Sequence, residues 1–194
     1  MNIGIYLYPD AEVLDFAGPY EVFATAGRLS PDRDIQVCLI GETGEMITAR
    51  NGFRVVPDHG LDDHPPLDLM LVPGGIHTRE MHNPKAIDWI KRQAQTVKLV
   101  TSVCTGAFLL AEAGLLTGRR ATTHWEDMTD LRQSYPDIAV VDNVRWVKDG
   151  TLITSGGIAA GIDMALYLVS QIADEALARQ TARQMEYPWP PKSA

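Results

Sequence analysis

The segment Lys98-Leu99-Val100-Thr101-Ser102-Val103-Cys104-Thr105-Gly106-Ala107 decides the fold. A partly β-branched, strand-forming run ends at a cysteine. A small residue and a glycine follow, then an apolar helical pattern to Ala113 with Gly114 as its C-cap. This order is the unit of a parallel α/β sheet, in which a strand is followed by a helix that carries the chain back. The break itself has the logic of a nucleophile elbow, where a tight turn lifts a side chain above the sheet edge and glycine permits close backbone approach. At a helix N-terminus the positive end of the dipole favours a thiolate at Cys104. A buried structural cysteine stands beside that reading, since cysteine is among the most buried residue types.

The same alternation extends in both directions. Ile3 to Tyr8 reads as a strand ended by Pro9 and Asp10, and Asp15 to Ala26 as a helix with Gly18-Pro19 in its first turn, where the missing proline N–H costs least. Ile35 to Ile40, which contains Cys38, and Leu67 to Val72, stopped by Pro73-Gly74-Gly75, are further strands. Met46 to Thr48 and Phe53 to Val56 flank Asn51-Gly52, a hairpin signal. Asn83-Pro84 opens a helix to about Thr96. Short strands are predicted at 121–123, 139–141, 144–147 and 151–154, with helices at 125–134, 158–172 and 174–186 and an extended tail from Pro188. The pattern predicts one α/β domain over residues 1–194, built on a doubly wound, mostly parallel sheet.

Composition narrows the function. With 17 basic against 25 acidic residues the formal charge is −8, and no basic cluster beyond Arg119-Arg120 offers the cationic face that nucleic acid requires. No apolar stretch reaches the ~18 residues of a membrane span. Met1 to Tyr8 lacks a basic leader before an apolar run, so a cytoplasmic setting with both cysteines as free thiols is expected. His59, His64, His77 and His82 have no Cys or His partner at ligand-like spacing, and 114–118 lacks the lysine of a phosphate loop. Neither a metal nor an organic cofactor is expected.

Several motifs, spread in order along the chain, resemble one family. They are Leu14-Asp15-Phe16-Ala17-Gly18-Pro19 with Glu21-Val22-Phe23, Val72-Pro73-Gly74-Gly75, Thr101 to Gly106, Ala121-Thr122-Thr123-His124-Trp125, Thr154 to Asp163, and Gln184-Met185-Glu186-Tyr187. The sequence resembles the DJ-1/PfpI superfamily and, within it, the isonitrile hydratase branch. The resemblance implies a flavodoxin-like sandwich related to class I glutamine amidotransferases, usually a homodimer. It also implies a nucleophile at Cys104 on strained backbone, paired with a carboxylate from the first β–α connection, here Asp15. Relatives with protease, glyoxalase or deglycase character carry histidine directly after the cysteine; this chain has Thr105, as the hydratase branch does. The same domain forms the N-terminal half of some AraC-type regulators, whose helix-turn-helix region follows it; the sequence given leaves no room for one after Pro191.

Each candidate has a plainer reading. Asp15 suits either an acid/base role or the N-cap of the first helix. His124 is either a residue lining the site or a histidine held at a strand end. Gly74 and Gly75 could aim N–H groups at developing negative charge, as oxyanion holes do, or merely end a strand. The resemblance implies that Thr105 faces the substrate and that Ile158 packs near the site, although a core isoleucine is the simpler reading. The reaction the resemblance implies is hydration of an isonitrile to an N-substituted formamide, with Asp15 as acid and later as activator of water. A redox- or ligand-sensing domain, and glyoxalase-like chemistry on small carbonyl compounds, are the alternatives.

Overall fold

The computed structural model describes residues 1–189. Ten strands and six α-helices alternate along them: β1 (Asn2–Tyr6), α1 (Val13–Leu29), β2 (Gln36–Ile40), β3 (Ile47–Thr48), β4 (Arg54–Val55), β5 (Leu69–Val72), α2 (Pro84–Gln93), β6 (Leu99–Val103), α3 (Gly106–Glu112), β7 (Arg120–Ala121), α4 (Met128–Ser134), β8 (Ala139–Val140), β9 (Trp146–Asp149), β10 (Leu152–Ser155), α5 (Ala160–Ile172) and α6 (Glu175–Gln184). The central sheet runs β2-β1-β5-β6-β10-β9, parallel throughout except for β9 at its edge. Helices α1, α5 and α6 pack together, while α2 and α3 pack with each other. This is the doubly wound α/β sandwich that the sequence predicts.

Burial explains why these runs are strands. All four residues of β5 are inaccessible, and Ile3, Ile5, Val103 and Ile153 are fully buried in the neighbouring strands. Strands covered on both faces read as continuous apolar runs rather than alternating ones. The predicted hairpin is present as β3 and β4, with Asn51 in a left-handed conformation at its turn. Strand order reverses beside β1, so the loops after β1, β5 and β6 meet at one crevice, where open α/β sheets hold their ligands.

Two readings are corrected. Helix α1 begins at Val13, not Asp15, so Pro19 lies inside it and not in its first turn. The proline removes the N–H that would close on the Asp15 carbonyl. Beyond Trp189 the predicted extended tail lies outside the described residues. Among the described residues no helix is long and apolar enough to cross a membrane.

Candidate active site

Cys104 sits between β6 and α3 with φ of +57°, a left-handed conformation that costs a non-glycine residue about 1–3 kcal/mol. Hydrogen bonds from distant loops hold it there. The Cys104 N–H donates to the carbonyls of Ser155 (3.1 Å) and Gly156 (3.3 Å), and the Thr123 hydroxyl donates to the Cys104 carbonyl (2.8 Å). Neighbouring glycines press the turns together. A Cβ at Gly106 would lie 2.2 Å from the Val72 carbonyl oxygen, and one at Gly74 would lie 2.7 Å from the Cys104 Cβ. Side chains at those positions are therefore incompatible with the elbow.

Asp15 is completely buried in α1. Its Oδ1 accepts the Ile158 N–H at 2.8 Å and its Oδ2 the Gly74 N–H at 3.1 Å, and the Cys104 thiol lies within hydrogen-bonding reach. The carboxyl thus ties the loops after β5 and β10 to the first helix. It is not an N-cap: Glu12 holds that position. Burial pushes Asp15 up to about 7, against the opposing pull of the Ile158, Cys104 and Gly74 hydrogen bonds. Burial likewise pushes the Cys104 thiol above its ordinary value, and the adjacent Asp15 charge pushes the same way, while the Thr105 N–H pulls back. The dipole-favoured thiolate is thus overridden, because α3 has only seven residues and the sulfur is desolvated. The two groups titrate as a coupled pair.

Cys104 is 7% exposed and reaches solvent through a cavity of about 380 Å³. Gly75, Thr105, His124 and Ile158 line the same cavity. Neither glycine presents a free N–H: Gly74 donates to Asp15, and Gly75 donates to the Thr105 hydroxyl (3.0 Å), which returns a bond to the Gly75 carbonyl (3.1 Å). Gly74 thus holds Asp15 and Gly75 holds Thr105, and neither N–H is left over for an oxyanion in this arrangement. Ile158 is no core residue: it is 42% exposed with φ of +57°, and its backbone rather than its side chain engages Asp15.

Sequence reasoning missed His77, Arg50, Glu126 and Asp127, which also line the cavity. The His77 ring lies 4.5 Å from that of Phe108, and burial lowers its affinity for a proton. The available signal was position, since residues 76–78 directly follow the end of a buried parallel strand. Among the described residues no three His, Cys, Asp or Glu side chains are grouped to hold a metal ion.

Comparison with known proteins identifies the family. The DJ-1/PfpI family model matches residues 1–171. The chain is 40% identical over 193 residues to the isonitrile hydratase of Pseudomonas putida, covering 98% of this chain and 81% of that one. It is 33% identical to the HTH-type transcriptional regulator CdhR of Pseudomonas aeruginosa, covering 92% of this chain but only 52% of the regulator. Among solved structures, a ThiJ/PfpI family protein from Pseudomonas syringae superposes with a TM-score of 0.85 at 27% identity, covering 98% of this chain and 77% of that one. Drosophila melanogaster DJ-1beta, at 23% identity, shares the fold with a TM-score of 0.82 over 97% of this chain and 98% of its own. On the motifs, the sheet order and these matches together, the chain belongs to the DJ-1/PfpI family.

Proposed function

We propose that this protein is a cofactor-independent isonitrile hydratase, converting R–NC to R–NH–CHO at Cys104 with Asp15 as the proton donor. The observation that carries the reading is the buried carboxyl fixed beside the thiol by two backbone N–H groups. A carboxyl pushed up to about 7 keeps a proton available near neutral pH. Thr105 after the cysteine supports the same reading, since the histidine of a Cys–His dyad is missing there. So does the similarity to the P. putida hydratase.

The steps balance without an oxidant or a metal. The pair releases one proton and, in its thiolate form, the sulfur attacks the terminal isonitrile carbon. A C–S bond forms, the proton held by Asp15 passes to that carbon, and a thioimidate results. Water adds across the C=N bond with one proton going to nitrogen, the C–S bond breaks with its electron pair returning to sulfur, the hydroxyl proton returns to the Asp15 carboxylate as the C=O bond forms, and the formamide leaves. Incubation with an aryl isonitrile, followed by absorbance, tests the proposal. The parent protein forms formamide, and Cys104→Ala loses at least about a thousandfold in rate. An inactive parent, or a fully active Cys104→Ala, overturns the reading.

The similarity to regulators favours one second reading, in which the same cavity binds a small ligand without turning it over. In that case an isonitrile or its formamide raises the melting temperature while no product accumulates.

A further inference from the structure

A second cavity, of about 540 Å³, adjoins the one at Cys104, and Ile76 lines both. The Ile76 N–H donates to the Asp10 carbonyl (3.1 Å), so one short segment forms the wall between them. The second cavity contains a carboxylate without a counterion. Glu80 is 6% exposed and accepts the Tyr6 hydroxyl (2.5 Å) and the Asn83 amide (3.1 Å), both on Oε1. Among the described residues Oε2 has no donor. Fully enclosed side-chain atoms lacking a partner, among the described residues, belong to Ser102, Thr181 and Trp189, so Glu80 Oε2 opens to the cavity. The nearby cations are placed elsewhere. Lys85 is held by Glu42 Oε1 (2.8 Å), while Asn83 also donates to Glu42 Oε2 (3.0 Å). Arg79, exposed on the cavity wall, is in no ion pair among the described residues. A buried carboxylate served by neutral donors alone keeps a desolvation cost that a cation in contact offsets.

Three properties define the occupant. It is positive, because the lining sets the carboxylates of Asp10, Glu42 and Glu80 against the single guanidinium of Arg79. It is held by hydrogen bonds, because among the described residues no three His, Cys, Asp or Glu side chains are grouped to coordinate a metal ion. It is larger than an ion, because the volume is that of a small-molecule site. A further cavity of about 250 Å³ shares Pro9, Glu42 and Glu80 and continues to Tyr8 and Met46, which gives an apolar substituent a place. We propose that this second cavity binds a small organic primary ammonium, with its N–H donors on Glu80 Oε2, its charge complemented by Asp10, and its apolar substituent towards Tyr8 and Met46. The three donors of an –NH₃⁺ group suit an open carboxylate oxygen. The proposal goes beyond the hydratase reading and stands without it, since neither Cys104 nor Asp15 takes part.

The test is calorimetric titration of the full chain with n-butylammonium chloride, with n-butanol and sodium butyrate compared at matched ionic strength. The parent binds butylammonium saturably, and the alcohol and the carboxylate at least about tenfold more weakly, the loss expected when a hydrogen bond to a charged group is missing. Alkylation of Cys104 with iodoacetamide leaves the butylammonium affinity unchanged, because the thiol opens into the other cavity. Glu80→Gln lowers the affinity about tenfold or more. Asp10→Asn covers the case in which that buried substitution prevents folding. Asparagine tolerates the left-handed backbone at this exposed position (φ of +62°), and loss of its charge lowers the affinity about two- to fivefold. No saturable binding in the parent, butanol binding as tightly as butylammonium, affinity lost on alkylation of Cys104, or full affinity in a folded Glu80→Gln overturns the proposal. If Glu80→Gln does not fold, full affinity in Asp10→Asn overturns it. None of these outcomes depends on isonitrile turnover.

Discussion

Replacing Asp15 by asparagine should stabilise the protein above neutral pH, although it removes a group central to the site. A carboxyl held at about 7 against an ordinary 3.8 corresponds to about 4 kcal/mol favouring its protonated form in the folded state. Because the native state binds this proton more tightly than the unfolded chain, it holds more protons between about pH 4 and 7. Stability contributed at this position is therefore complete at low pH, falls as pH rises through that window, and is lost above about 7. Asparagine keeps an acceptor for one backbone N–H but turns an amide towards the other. One of the Ile158 or Gly74 donors is then unsatisfied, at about 1–3 kcal/mol. The net expectation is a gain of about 1–3 kcal/mol at pH 8, shrinking to zero or reversing near pH 4.5. Urea denaturation followed by tryptophan fluorescence at both pH values measures it. A difference between variant and parent that does not change with pH refutes the claim that burial, rather than pairing, governs this carboxyl.

Three further substitutions probe the scaffold of the elbow. Gly106→Ala drives a Cβ into the Val72 carbonyl, so a loss of about 3 kcal/mol or more, or no folded protein, is expected in the same assay. Thr123→Val removes the buried hydroxyl that holds the Cys104 carbonyl; a loss of about 1–3 kcal/mol should appear, with slower alkylation or turnover at Cys104 as its strained backbone relaxes. Asp163→Asn, at a buried acceptor of Arg145 Nε (2.6 Å) and the Tyr187 hydroxyl (3.0 Å), should lower the melting temperature by several degrees without altering the pH dependence of Cys104.

Much of the architecture was legible because buried parallel strands leave a plain mark: Leu69 to Val72 and Leu99 to Val103 are recognisable before any contact is known. Helix limits were less so. Glu12 caps α1 without a side-chain hydrogen bond, so nothing in its chemistry announces a start at Val13, and Pro19 falls beyond the first turn. At the site, the elbow at Cys104 followed from local residues, whereas its partnership with Asp15 came only from family resemblance, since pairing across distant loops has no local signature. A strand-ending Gly-Gly does not disclose the acceptors of its N–H groups, which are Asp15 and Thr105. The close packing of the His124 ring against Gly157, where a Cβ would lie 2.3 Å from Nδ1, is a juxtaposition only the folded chain creates.

The central claim is that Cys104 and Asp15 handle one proton as a unit. Its most direct test is the rate of Cys104 alkylation by iodoacetamide from pH 5 to 10, read by mass spectrometry in the parent and in Asp15→Asn. Coupling predicts that the parent rate rises to an inflection near pH 7 and then levels, because loss of the first proton opens the thiolate form of the pair. The variant should lack that inflection and keep rising with pH as an isolated buried thiol. Profiles of the same shape in both proteins would contradict the account.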